Sequence, residues 1–185
     1  MIHVPLTDEL QQEAQRRADA MPILKNSQRG AEANTVGCLG ELVVEHVLQQ
    51  NGVPFDREYK TTHDLVFPDG RTMEIKTKDR TVVPQPFYDC TLPAYNIEHQ
   101  QANMFAFVSL YRPSKYLKGK AEHYTDAYVL GVIGKSKFSR DAKYWEKGSV
   151  DPSNETKFWT ACYNVYVNQL MDFEEAINRW LINYT

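Results

Sequence analysis

Nowhere does this chain carry an apolar run long enough to cross a bilayer. Its first residues, Met1-Ile2-His3-Val4-Pro5-Leu6, show no basic head followed by an apolar stretch, so a secretory signal is not expected and a cytoplasmic protein is. Cysteine is scarce: Cys38, Cys90 and Cys162 are odd in number, widely spaced and form no C-x-x-C pair. That pattern suggests neither a disulfide framework nor a zinc site, and the three read as ordinary thiols. An excess of basic charge is missing too. A net charge of −3 argues against a protein that coats nucleic acid by bulk electrostatics, although local basic patches could still contact phosphates. Internal repeats, low-complexity tracts and linkers are absent, so the 185 residues read as one domain built around a single core.

What is present alternates between helical and strand periodicity. Thr7 reads as an N-cap with Asp8 and Glu9 in the first turn, and Leu10, Ala14, Ala18 and Met21 recur at helical spacing until Pro22. A polar connection from Lys25 to Gly30 leads to a second helix over Ala31 to Gln50, stopped by Asn51-Gly52. Strands are expected at Pro54 to Lys60, Asp64 to Phe67 and Arg71 to Lys78, as a short antiparallel meander. Thr81 to Pro93, with three prolines, reads as a loop, and Tyr95 to Ala102 as a short helix. Met104 to Tyr111 and Ala127 to Ile133 are continuous apolar runs suited to buried strands. Ser136 to Trp145 reads as helical, Phe158 to Val167 as a late strand, and Met171 to Leu181 as a closing amphipathic helix started by Asp172. The order is that of an α/β layered domain.

The chemistry concentrates between the second and third expected strands. A tight turn at Pro68-Asp69-Gly70 folds Asp64-Leu65-Val66-Phe67 back on the strand holding Glu74-Ile75-Lys76. Residues two apart share a strand face, so Glu74 and Lys76 stand side by side and Ile75 turns inward. Two carboxylates and an ammonium so placed suit a hard divalent cation with a water beside it, the arrangement that phosphodiester hydrolysis needs. Lys78 continues the same face by one more step, and with Arg80 it could track a phosphate backbone. Further basic patches occur at Lys115, Lys118 and Lys120, and at Lys135, Lys137, Arg140 and Lys143. His63, next to Asp64, should face away from it.

The spacing D-x9-E-x-K, preceded by a helix with Gly37-Cys38-Leu39-Gly40-Glu41, resembles the PD-(D/E)xK nuclease superfamily, which includes restriction endonucleases, phage exonucleases and junction resolvases. The resemblance covers about residues 30 to 112, and His63 stands where the superfamily's name has proline. It implies a restriction-endonuclease-like α/β/α layered core with a central mixed sheet in the order α-β-β-β-α-β. To that core this chain would add an N-terminal helix and C-terminal β/α extensions. It implies a Mg²⁺-dependent deoxyribonuclease, with Mn²⁺ as substitute, of a kind common in phages and bacterial mobile elements, acting in the host cytoplasm if phage-encoded. Asp64 and Glu74 would hold the metal with the Ile75 carbonyl, and Lys76 would act on the attacking water. Glu41 would complete the catalytic and metal site from the helix; Gly40-Glu41 matches the family better than Glu45 does. Gln100, in the short helix before the buried strand, is the position where such nucleases carry a polar residue near the scissile phosphate.

With no recognition helix or separate DNA-reading domain visible, cleavage directed by structure or strand ends is expected over sequence-specific cutting. Many members of the superfamily act as dimers, so a homodimer is kept open. The alternative is a nuclease-fold protein that has lost catalysis and binds nucleic acid or a protein partner, such as a phage accessory protein.

Overall fold

The computed structural model describes residues 1–22, 30–58 and 62–182. The chain starts with strand β1 (Ile2–Pro5) and helix α1 (Asp8–Ala20), where the Thr7 hydroxyl accepts the Leu10 N–H as an N-cap. Helix α2 (Ala31–Gln50) follows and ends as the sequence indicates, the Asn51 N–H returning to helix carbonyls. Next come β2 (Asp56–Arg57), β3 (Leu65–Val66), β4 (Thr72–Arg80), β5 (Asp89–Pro93), α3 (Ala94–His99) and β6 (Met104–Tyr111). The chain continues through β7 (Asp126–Gly134), α4 (Lys135–Asp141), β8 (Lys143–Trp145), β9 (Cys162–Tyr166) and α5 (Phe173–Ile182).

Six strands form a mixed sheet in the order β1-β7-β6-β4-β3-β2, in which β4 and β6 run parallel and the other neighbours antiparallel. A second, antiparallel sheet has the order β5-β9-β8. The pleat of β6 explains how two cores form on one strand. Met104, Ala106, Val108 and Leu110 enter a core shared with α2 and α5, while Phe105 and Phe107 turn to a second core with Phe138 of α4 and Leu92 and Val165 of the small sheet. One face of the main sheet is thus covered by helices. The other carries the three-stranded sheet with the short α3 and α4, where the α/β/α expectation had helices.

Two glycines are demanded by this packing. A Cβ on Gly40 would sit 1.9 Å from the Thr77 hydroxyl oxygen, so α2 lies against β4 only because that position has no side chain. In β7 the register with β6 shifts between Phe107 and Val108, and Gly131 beside that bulge takes φ +147° with its Cα facing the Met171 carbonyl.

Several boundaries depart from the sequence reading. β1 was not expected; it pairs with β7 because Val4 has a core to enter. The proline-bearing stretch read as a loop yields β5, whose partner β9 lies some seventy residues on and is invisible to local pattern. The helix read over Ser136 to Trp145 stops at Asp141, and Lys143–Trp145 form β8 instead. The strand read over Pro54 to Lys60 is confined to β2 among the described residues. Tyr59 and Lys60, and most of the connection read from Lys25, lie outside them.

Candidate active site

β3 pairs with β4 only at Thr72 and Met73, and beyond them the β3 side of β4 has no strand beside it among the described residues. Asp64, the residue before β3, covers the first part of that edge. Its N–H donates to the Met73 carbonyl at 2.9 Å, and its Oδ2 accepts the Ile75 N–H at 2.6 Å. Because backbone groups two residues apart point to the same strand edge, the Ile75 carbonyl also faces the Asp64 side. Along the unpaired edge runs a cleft of about 680 Å³, bounded by the first half of α2, by β4 and by the segment before β9. Glu41, Asp64, Glu74, Ile75, Lys76, Lys78 and Arg80 all line it.

The glutamates of the site and its surroundings are held by basic or amide side chains. Lys76 Nζ donates to Glu74 Oε1 at 2.6 Å, and Gln100 Nε2 donates to the same oxygen. Arg57 donates to Glu41 Oε2 at 3.0 Å and stands 3.3 Å from Glu45 Oε1, while Arg17 forks onto Glu45 at 2.8 and 3.0 Å. Glu45 is therefore a buried structural anion clamped by two arginines, and Glu41 is the helix glutamate that reaches the cleft.

Electrostatics at the site are unfavourable for a protein standing alone. Burial pushes the Asp64 carboxyl well above the usual aspartate range, and the negative charges of Glu41 and Glu74 push it further. Glu41 is raised in the same sense, first by burial and with Glu45 and Glu74 adding to it, although Arg57 opposes the shift. Asp64 and Glu41, whose ionised forms are disfavoured in this way, line the cleft with Glu74, and a divalent cation would relieve such a site. Among the described residues no three histidine, cysteine, aspartate or glutamate side chains are drawn together as a ready-made cation cage. A Mg²⁺ ion does not require one, since it commonly takes one or two carboxylates and keeps several waters. Asp64 Oδ1 and Glu74 Oε2 accept no hydrogen bond among the described residues, and with the Ile75 carbonyl they are hard oxygen donors that fit this ion.

Gln100 is buried at the C-cap of α3 and holds Glu74, and its Oε1 has no partner among the described residues, so its position is that of a support for the acid. His63 pairs with Glu58 at 3.3 Å and does not reach the acids, in keeping with its opposite strand parity. Lys78 is exposed in the cleft without an ion-pair partner among the described residues; surrounding protein and then Arg80 depress its pKa. Arg80 is anchored to Ser109 Oγ and the Asp89 carbonyl. Of the other basic patches, Lys137 and Arg140 share the one carboxylate of Asp141, both at 2.7 Å, and Lys135 is bonded to the Gln100 carbonyl. The Cys38 thiol lines the cleft but is pushed up to about 11 by burial and then Glu41, which makes it no nucleophile.

Sequence reasoning did not reach Arg57, which orders Glu41, nor the placement of Trp159, which lies 70% exposed on the cleft wall. Both depend on contacts between distant segments. In comparison with known proteins, the chain matches no protein family and no curated sequence.

Proposed function

We propose that this protein is a Mg²⁺-dependent deoxyribonuclease of the PD-(D/E)xK kind, with Mn²⁺ able to substitute, cutting at a structure or strand end. The observation that carries this reading is that Asp64, Glu74 and Glu41 of α2 line one cleft, where the charges of Glu41 and Glu74 add to the burial that raises Asp64. The succession α2, β2, β3, β4, α3, β6, with β4 parallel to β6, agrees with the α-β-β-β-α-β order that the resemblance implies. It departs in the inserted β5.

Asp64, Glu74 and the Ile75 carbonyl would hold the ion, and Glu41 would contact it through water. When bound, the ion polarises a phosphoryl oxygen and lowers the pKa of water. Lys76, hydrogen-bonded to Glu74, orients the attacking water and stabilises negative charge growing on the phosphoryl group. Gln100 fixes Glu74, and Arg57 fixes Glu41. Lys78 and Arg80, further along the same face, take flanking phosphates.

A second reading, a nuclease-fold protein that binds without cutting, is favoured by the 2.6 Å Lys76–Glu74 contact, which neutralises that pair without an ion. One experiment separates the two. A panel of labelled duplex, single-stranded and branched DNA and RNA is incubated with Mg²⁺, Mn²⁺, Ca²⁺ or EDTA. Cleavage with Mg²⁺ or Mn²⁺ that disappears in EDTA and in Glu74→Gln supports hydrolysis, and metal-independent binding without products supports the second reading.

A further inference from the structure

From the cleft wall opposite α2 we infer a stacking platform for unpaired nucleotides, centred on Trp159. This deepens the nuclease reading and rests on it for the fate of the bound strand, since it names the substrate as a single-stranded segment of DNA. The three tryptophans differ sharply. Trp180 is buried, and Trp145 is packed on Phe158 at 4.8 Å between ring centres, whereas Trp159 is 70% exposed. It lines the same cleft as the acids, as does Tyr95, which is 64% exposed. Large aromatic faces left in water within a concave site are unfavourable for an isolated protein and suited to a planar ligand.

The charge beside the platform has the matching sign. Lys157 Nζ stands 5.2 Å from the Trp159 ring centre, and Lys78 lies in the cleft without an ion-pair partner among the described residues. Glu74, Lys76, Lys78 and Arg80 share one face of β4, so on this strand Glu74 is followed by three basic residues, with Asp89 as a further acid on the cleft wall. A basic groove that follows a backbone, with aromatic faces for bases, is how proteins hold single strands without reading sequence. A duplex keeps its bases stacked inside and offers none to Trp159.

The test is fluorescence anisotropy with fluorescein-labelled oligothymidylate and with a hairpin duplex of equal length, in EDTA, so that binding is read without cleavage. Parent protein should prefer the single strand. Trp159→Ala should weaken that binding about ten- to a hundredfold with no change in melting temperature, since the ring is exposed. Trp159→Phe should keep most of it, and Lys78→Ala should flatten its dependence on salt between about 50 and 200 mM. Equal affinity of parent for the two probes, or unchanged single-strand affinity of Trp159→Ala, would overturn the inference. Binding through Trp159 with no Mg²⁺-dependent product would leave the platform standing and remove hydrolysis. Mg²⁺-dependent cleavage of the single strand at the parental rate and parental affinity by Trp159→Ala would do the reverse.

Discussion

A carboxyl whose pKa is raised on folding binds its proton more tightly in the folded chain, so stability falls as pH rises from the ordinary aspartate range through the raised value. Asp64 is such a group, and burial is the largest cause. Asp64→Asn removes the charge while leaving an oxygen to accept the Ile75 N–H, and it should melt at a higher temperature than parent at neutral pH in EDTA. The same variant should lose cleavage; a lower melting temperature with full activity would show Asp64 to be a structural cap. Lys76 poses the converse case. Its partner Glu74 is only 6% exposed, so Lys76→Ala leaves a buried carboxylate short of a cation and should cost up to about 3 kcal/mol in EDTA. Saturating Mg²⁺ should recover much of that stability while the cleavage rate stays down by orders of magnitude, each factor of ten being about 1.36 kcal/mol of barrier. Melting curves with and without Mg²⁺, beside single-turnover rates, separate the two effects.

Between elements, the decisive contact is α2 on β4 at Gly40 and Thr77. Gly40→Ala would place a methyl 1.9 Å from the Thr77 hydroxyl oxygen and 2.8 Å from its Cβ and Cγ2. Such overpacking costs about 1–3 kcal/mol and moves Glu41, one residue on, relative to β4. Thr77→Ala in the same chain removes two of the three clashing atoms and should restore part of both stability and activity, as a double-mutant cycle would measure. Additive losses would show that the helix finds room elsewhere. Legibility in the sequence follows the range of the cause. α2 and β6 match their expected bounds because capping residues and continuous apolar runs act locally, and the turn at Asp69-Gly70 juxtaposes Asp64 with Glu74 over a short loop. β5 and β8 depend on β9, and the Glu41–Arg57 and Arg17–Glu45 pairs join helices and strands 16 and 28 residues apart, so nothing in any short window announces them. Gln100, which the sequence places in the short helix before the buried strand, has its buried amide on Glu74 because α3 ends beside β4, a contact that no local pattern announces.

At the scale of the whole molecule, a chain of net charge −3 lines one cleft with the acids Glu41, Asp64, Glu74 and Asp89 and with the basic side chains Lys76, Lys78, Arg80 and Lys157. Burial and neighbouring negative charge disfavour the ionised forms of Asp64 and Glu41, so under the proposed function a bound cation would add to the stability of the fold. A ligand that binds only the folded state adds RT ln(1 + [L]/Kd), about 2.7 kcal/mol at a hundred times Kd. For a chain of this size that corresponds to a rise of roughly 5–10 °C in melting temperature. Titrating Mg²⁺ into parent protein should therefore raise the melting temperature steadily with the logarithm of its concentration. Asp64→Asn and Glu74→Gln should start from a different baseline and respond weakly, because each lacks one of the two carboxylate donors. Trp159→Ala, which leaves the acids in place, should respond like parent. A melting temperature indifferent to Mg²⁺ in parent, or equally responsive in Asp64→Asn, would mean that the three acids are relieved by Lys76 and Arg57 alone and that the cleft holds no ion.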